Sequence, residues 1–412
     1  MQARYSQSKR KRKLATDLLL NAENAVVQNA IEQLHGLLPT VPVRRRAQPY
    51  PPPNHWIVEN QATWDLWHHQ ITSARQPDAR IPRKPMFMLD ESQLSYDLEG
   101  GGSAIFVDAD DGSKVAVVIS ELCNCPKILH WVNQIVLVNV ALEKNVRVRQ
   151  SPPMFKPGFL KHLTLQKEDA GSLVISGWSA GSRSRLLLDF ARNFEAKHKL
   201  SSTQKEKVQY KASSAFALFW NLVKSLGPQE VVDDLEDFVK KHNLYKMDPA
   251  VLRGGRIRTY TVDVDGEVPI IFRNADLAPP SGVFARNYAR YVHREKQPHR
   301  WAASWTTFRD DSANDAGGHF YLPEYGIRIR AATNKAVFWR PGDWHATSLP
   351  KLAPDEKNGP LLQCGLAIVT SARLPAAFRA FHEGRSSTME LNVDTDEGNE
   401  SDLEDRFEGM AL

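Results

Sequence analysis

The chain has 412 residues, a net charge of +5 at pH 7 and a hydrophobic fraction of 42%, values typical of a soluble globular protein with one large domain or two ordinary ones. No apolar run is long enough to span a bilayer, so we expect no membrane partner. The three cysteines exclude a disulfide framework, and the Cys123-x-Cys125 pair lacks a second pair for zinc.

The two ends of the chain carry opposite charge. Residues 1–54 contain the basic run Lys9, Arg10, Lys11, Arg12, Lys13, then a helical pattern and a proline-rich connector, and we interpret them as an appendage outside the core. The run predicts a contact with nuclear import machinery or with nucleic acid, and hence a nuclear location; a solvated charged end is the alternative. Residues 386–412 are acidic and predict a disordered tail.

Residues 55–250 are predicted to be mainly helical, with one hairpin, and to pack on the domain that follows. Apolar residues at 104–107 and 115–119 flank a polar turn and predict two strands, and 127–144 predicts a buried helix. Thr203 and Glu206 match a capping box ahead of a long amphipathic helix, which Gly227-Pro228 should end.

Residues 251–385 have the alternation typical of strands. Asp265-Gly266 predicts a hairpin turn, and apolar residues crowd together in 361–370, as in a strand buried on both faces. Helices followed by strands predict an α+β fold, whose core strands we place between about 255 and 372.

His345 begins the most informative stretch. It follows a glycine pair at 317–318, a strand at 336–339 and the turn Arg340-Pro341-Gly342-Asp343. A histidine that a rigid strand holds in place suits a metal site, because its lone pair then has a fixed direction. Without other ligands, a histidine satisfied by backbone partners is the simpler interpretation.

The glycine pair, His345-Ala346-Thr347 and the strand 363–369 resemble the catalytic half of the TET/J-binding-protein oxygenases, in particular the fungal branch. The resemblance covers roughly residues 250–375. It implies a distorted double-stranded β-helix, or jelly roll, flanked by helices. It also implies Fe(II) and 2-oxoglutarate as cofactors and a methylated nucleobase in DNA as substrate.

The family's iron ligands are a His-x-Asp pair and a distal histidine. The resemblance maps the distal histidine to His345 and the pair to Phe308-Arg309-Asp310, so that Asp310 supplies the carboxylate and Phe308 replaces a histidine. His319 is the natural substitute for the missing ligand, and His293 is another.

The family's co-substrate arginine maps to Gln363, so another cation would be needed for that carboxylate. The candidates are Arg328, Arg330, Arg340 and Arg373. Because Phe308 and Gln363 depart from the family's pattern, two functions remain open: a DNA-oxidising dioxygenase with Asp310 and His345 at its centre, or a degenerate module that binds nucleic acid or a protein.

Overall fold

The structure is a computed structural model. It describes residues 38–73, 84–142, 171–181, 186–191, 200–249, 257–262, 270–310, 312, 316–352 and 359–385. The basic run at 9–13, the turn at 265–266 and the acidic tail at 386–412 lie outside these residues.

Eighteen strands and five α-helices make up the described part of the chain. The strands are β1 Thr40–Val43, β2 Trp56–Val58, β3 Met86–Met88, β4 Tyr96–Leu98, β5 Ala104–Asp108, β6 Lys114–Ser120, β7 Ser172–Ser179, β8 Asp189–Phe190, β9 Ile257–Val262, β10 Ile270–Asp276, β11 Ser281–Arg286, β12 Arg290–His293, β13 Ala302–Arg309, β14 Phe320–Leu322, β15 Ile327–Ile329, β16 Lys335–Trp339, β17 His345–Thr347 and β18 Gln363–Ile368. The helices are α1 Gln61–Ser73, α2 Pro126–Leu142, α3 Ser202–Leu226, α4 Gln229–Lys241 and α5 Leu374–His382. This mixed composition confirms the predicted α+β class.

Two large sheets divide the last eight strands between them. The nine-stranded sheet has the order β1-β5-β6-β16-β13-β18-β11-β7-β8, and the five-stranded sheet has the order β12-β17-β14-β15-β4. The eight consecutive strands β11–β18 therefore fall into two sets, the first, third, sixth and eighth in one sheet and the second, fourth, fifth and seventh in the other. Strands that lie far apart along the chain are thus neighbours in space.

The space between the two sheets contains an apolar core to which both contribute. The nine-stranded sheet supplies Val283, Ala302 and Val337, and the five-stranded sheet supplies Leu322 and Ile327. Because alternate residues of a strand point to opposite faces, the strands also present a second set of apolar residues outward. The outer set packs against the helices.

Helices α2 to α5 share one large core with the outer face of the nine-stranded sheet. The rings of Phe219 on α3 and Trp305 on β13 stack with centroids 5.7 Å apart, and Phe216 lies 4.9 Å from Phe284 on β11. The central strands are consequently buried on both faces, which confirms the prediction made for residues 361–370 and fixes the inner face as the wall of a cavity.

Helix α3 starts two residues earlier than the sequence predicts. The capping box is formed by Ser201, whose side chain accepts from the amide of Gln204, while Gln204 Oε1 accepts from the Ser201 amide. The prediction of Thr203 and Glu206 was wrong. Ser201 and Gln204 form the same motif two residues upstream, where each side chain accepts from the other residue's backbone amide. The predicted end of the helix, at Gly227-Pro228, is confirmed.

The strands of the nine-stranded sheet are not confined to the predicted range of 255–372. Strands β5 and β6 pair with each other, β6 pairs with β16, and β7 pairs with β11. Strand β1, within the predicted appendage of residues 1–54, pairs in parallel with β5. The unpaired edges of β16 and β11 explain the difference, because a central sheet extends by recruiting any segment that can satisfy its free backbone groups.

Among the described residues, none of the helices is both long enough and apolar enough to cross a membrane.

Candidate metal centre

A cavity of about 180 Å³ lies between the inner faces of the two sheets. His293, Glu295 and His345 line it, and each offers one ligand atom within 4.8 Å of the other two. His293 ends β12 and His345 begins β17, and these two residues face each other in the antiparallel pairing of the strands. The sheet register therefore brings together histidines that lie far apart in the sequence.

The backbone fixes the tautomer of both histidines. Nδ1 of His293 lies 2.8 Å from the carbonyl oxygen of Tyr291, and Nδ1 of His345 lies 2.9 Å from that of Asp343. A carbonyl oxygen can only accept, so each Nδ1 must donate its hydrogen. In the neutral rings the lone pair is then on Nε2, the state that binds a metal.

Nε2 of His293 points at a carboxylate oxygen. It lies 3.2 Å from Oε1 of Glu295, so in the neutral ring two acceptors face each other. Such an arrangement is stable only with a cation or a proton between the two atoms. Glu295 is itself oriented by Gln297, whose amide donates to the other carboxylate oxygen at 2.9 Å.

Burial keeps the two imidazoles neutral. His293 is 7% exposed and His345 is 4% exposed. Burial lowers the pKa of His293 and lowers that of His345 to about 4, and the closeness of the two rings adds to the shift of His345 because both rings cannot be protonated together. Burial alone would raise the pKa of Glu295, but the His293 nitrogen beside it, the nearby His345 and the amide of Gln297 favour the carboxylate and hold the pKa below its usual value. Two neutral imidazoles and one carboxylate are a ligand set that binds a divalent transition metal.

The structure does not bring Asp310 to His345. Asp310 follows β13, and its carboxylate accepts from the amide of Ser312 at 3.0 Å and from its hydroxyl at 2.7 Å. These hydrogen bonds lower its pKa and account for its position as a turn residue. It does not line the cavity, and the only group of three or more possible ligands among the described residues is that of His293, Glu295 and His345.

His319 also lies away from this group. Gly318 and Phe320 line the cavity, and His319 between them points to the opposite face of the strand. There its Nδ1 accepts from the Ala331 amide at 3.0 Å, and its Nε2 lies 3.6 Å from Glu59. The role of His319 is therefore in a buried polar contact with the N-terminal part of the chain.

Gln363 lines the cavity, but its amide is already bonded. Oε1 accepts from Arg309 at 2.8 Å, and Nε2 donates to the carbonyl oxygen of Gly318 at 3.1 Å. Gly318 has φ of +75°, and a Cβ there would lie 2.9 Å from the Gln363 amide nitrogen. The glycine thus permits this close approach, which leaves Gln363 as a wall of the cavity.

The four arginines considered for the co-substrate do not line the cavity. Arg373 stands at the N-terminal end of α5 and donates to the carbonyl oxygen of Gly181, and Arg340 donates to Asp343 in the turn before β17. Arg328 and Arg330 both donate to Asp97. The cations that line the cavity are instead Arg290 and Lys335.

The sequence contained a usable signal for Glu295, the ligand that was not predicted. His293-Arg294-Glu295 has the spacing of a His-x-carboxylate pair, and it directly follows a strand. The resemblance instead maps the pair to Phe308-Arg309-Asp310. Phe308 in fact packs against the outer core, beneath the helices.

No protein-family profile and no curated protein matches the chain. Among solved structures, NgTET1 in complex with 5mC DNA matches with 9% identity and a TM-score of 0.32, over 75% of this chain and 86% of that one. A prolyl hydroxylase from Trichoplax adhaerens, in complex with a peptide of hypoxia inducible factor, matches with 10% identity and a TM-score of 0.29, over 64% and 86%. At these TM-scores neither match decides the function, which must be inferred from the side chains.

Proposed function

We propose that this protein is an Fe(II)- and 2-oxoglutarate-dependent dioxygenase that oxidises a methylated nucleobase in DNA. The observation that supports it most directly is the convergence of His293, Glu295 and His345 on one point of the cavity wall. Two histidines and one carboxylate on one side of a metal leave its other side open, which is the ligand arrangement of non-haem iron oxygenases. A glutamate in place of the family's aspartate lengthens one ligand by a methylene group.

We further propose that β11–β18 form a distorted double-stranded β-helix. Its support is the distribution of eight consecutive strands between two facing sheets, with the first, third, sixth and eighth in one of them. In such a core the second and seventh strands are neighbours. This pairing is the one that joins β12 to β17 and so brings His293 to His345.

The chain's own residues would position the reactants and exclude water. The carbonyl oxygens of Tyr291 and Asp343 hold the two imidazoles in the ligating tautomer, and Gln297 holds Glu295. Phe320 and Trp339 pack beside His345 and form a dry wall. Bound iron would supply the oxidising chemistry, while these residues orient the substrate.

The substrate assignment rests on the resemblance in sequence and on the surface next to the ligands. Arg294 lies over the ring of Trp344 at 4.5 Å, and Lys84 lies over the ring of Tyr291 at 5.3 Å. Cations and aromatic rings are the groups that bind phosphates and stack on bases. A methyl group inside a duplex could not reach the cavity, so the base would have to be flipped out.

The proposal is tested by incubating the purified protein with Fe(II), 2-oxoglutarate, oxygen and a methylated duplex. We expect a hydroxymethylated base and an equal amount of succinate, and neither product from His345→Ala. Absence of both products from the wild type after anaerobic loading with iron would remove the dioxygenase proposal.

A degenerate module that binds nucleic acid or a protein is the second candidate. Gln363 favours it, because an amide bonded to Arg309 and Gly318 cannot neutralise a co-substrate carboxylate. Phe308 no longer favours a degenerate module, because His293 supplies the histidine ligand that Phe308 cannot. A wild-type protein that binds no iron at a pH where histidine is neutral would favour the degenerate module.

We also propose a nuclear location, with the basic run Lys9–Lys13 as the segment that import machinery recognises. Burying five consecutive cations together would carry a prohibitive desolvation cost, so the sequence favours an accessible run. The same cations could contact phosphates in DNA, in which case binding would weaken as salt concentration rises.

A further inference from the structure

Lys335 is a buried cation with an unusual set of partners. It is 2% exposed, and its ammonium group donates to the carbonyl oxygens of Glu99 and Arg330, each at 2.9 Å. An ammonium group has three hydrogens, and within the described part of the chain no carboxylate lies within ion-pairing distance of it. The side chain of Glu99, whose backbone oxygen accepts from Lys335, is 76% exposed and reaches Arg330 instead.

Another buried lysine shows what such a residue normally requires. Lys246 is 9% exposed, and its ammonium lies 3.0 Å from a carboxylate oxygen of Glu236. A buried charge without a partner of opposite sign costs several kcal/mol, so it is retained where an anion completes the pair. Burial accordingly lowers the pKa of Lys335 to about 8.

The sheet register places Lys335 on the wall of the cavity that contains the three ligands. It faces Thr306 on β13, and Thr306 in turn faces Gly365 on β18. All three residues line the cavity. The side chains of Lys335 and Thr306 are therefore on the inner face of the sheet, and Gly365 leaves the floor of the cavity open beside them.

Lys335 lies close to the position at which the resemblance implies a co-substrate arginine. Gln363 lies two residues before Gly365 on the same face of β18, where the resemblance implies an arginine. An ammonium on a neighbouring strand can supply the positive charge that the amide lacks. We propose that Lys335 binds the distal carboxylate of 2-oxoglutarate, an inference that rests on the proposed function and gives its co-substrate an anchor.

Arg290 is the other cation on the cavity wall, but it lies nearer to the ligands. It begins β12, the strand that His293 ends, and pairs with Thr347, two residues after His345 on β17, whereas Lys335 lies on β16 of the opposite sheet. Its guanidinium also packs on the ring of Tyr291 at 4.2 Å. Lys335 is thus the group whose position suits the end of the co-substrate remote from the metal.

The test measures binding without turnover. The protein, loaded anaerobically with Fe(II), is titrated with 2-oxoglutarate and with 2-oxobutyrate, which lacks the distal carboxylate, by isothermal titration calorimetry. We expect the wild type to prefer 2-oxoglutarate by about 100-fold or more, the effect of a buried charge-assisted contact. Lys335→Met should bind both acids with similar, weak affinity, and Lys335→Arg should recover part of the preference.

Lys246→Met is the matched control, because it removes a buried lysine that does not line the cavity and should leave the preference intact. If Lys335→Met folds poorly, Lys335→Gln replaces it, and metal content establishes that each variant retains its centre.

A preference for 2-oxoglutarate that survives in Lys335→Met or Lys335→Gln overturns the assignment to Lys335 without affecting the dioxygenase proposal. So does a preference that is lost only in Arg290→Met. A wild type that binds iron but no 2-oxoglutarate also overturns it. A wild type that binds no iron contradicts the proposed function itself.

Discussion

At the scale of single residues, we expect substitutions of Glu295 and Asp310 to have different effects on the metal centre. Glu295 lies within 4.8 Å of both histidine ligand atoms, whereas Asp310 is bonded to Ser312 in a turn. Glu295→Gln keeps the shape of the side chain but removes its charge, so we expect Fe(II) affinity to fall by more than about 100-fold. Loss of a group that only hydrogen-bonds to a ligand typically costs less than this.

Asp310→Asn is the matched change for a carboxylate outside the centre, and it should leave Fe(II) affinity unaltered. Competition with a chromogenic chelator measures both affinities. Equal losses in the two variants, or a loss in Asp310→Asn alone, would restore Asp310 as the carboxylate ligand.

Lys335 should also make the stability of the protein depend on pH in an unusual direction. Its pKa in the fold is about 8, below the ordinary 10.5, so between these values the unfolded chain binds more protons than the folded one. The free energy of unfolding should therefore rise with pH in this window, by at most about 3 kcal/mol. The hydrogen bond to Asp97 raises the pKa of the neighbouring Arg330, so its charge does not change in this window.

This rise is measured as the difference between wild type and Lys335→Met in urea unfolding at pH 7.5 and pH 10.5, without ligand. Other lysines and tyrosines titrate in both proteins and cancel. An identical pH dependence in the two proteins would show that the Lys335 ammonium is not destabilised by burial.

At the scale of elements, the approach of β13 to β18 leaves no room for a side chain at Gly365. A Cβ at this position would lie 2.3 Å from the carbonyl oxygen of Trp305. Gly365→Ala should force the two strands apart and lower the free energy of unfolding by about 1–3 kcal/mol. The cavity floor should be disturbed as well, because Gly365 lines it.

Gly342→Ala is the control for this change, since a Cβ at Gly342 meets nothing within 4 Å. We expect its urea midpoint to equal that of the wild type. A Gly365→Ala protein as stable as Gly342→Ala would mean that the strands can separate at little cost.

At the scale of the whole molecule, the N-terminal segment contains a strand of the nine-stranded sheet and, ahead of it, the basic run, and we expect their deletion to have different effects. Strand β1 belongs to the nine-stranded sheet, where Val43 is buried and pairs with Asp108 of β5. Deleting residues 1–44 should therefore lower the free energy of unfolding by about 2 kcal/mol, the contribution of one buried valine, or by more if the edge of β5 frays. Chemical denaturation measures this loss.

Deleting residues 1–13 alone should leave the urea midpoint unchanged and disperse the protein from the nucleus into the cytoplasm. Fluorescent fusions of the two forms measure the distribution, and DNA binding at several salt concentrations measures any contribution of the run to phosphate contacts. Identical distributions and identical salt dependence would leave the run as a solvated end.

The sequence by itself determined the local features of this protein. Continuous apolar runs predicted β5, β6 and β18, an apolar segment predicted the buried helix α2, apolar periodicity predicted α3, and the Pro-Gly turn located a histidine at the end of a strand. These features depend on the few residues around each position, so a window of sequence contains their cause. The α+β class followed from the same patterns.

Only the tertiary structure decided which side chains meet. His293 reaches His345 through the pairing of β12 with β17, and Lys335 reaches the cavity through the pairing of β16 with β13. The register of a strand also decides its faces, which is why His319 points away from the cavity although its neighbours line it. Pairing between distant strands depends on the packing of the whole core, and no local pattern contains that information.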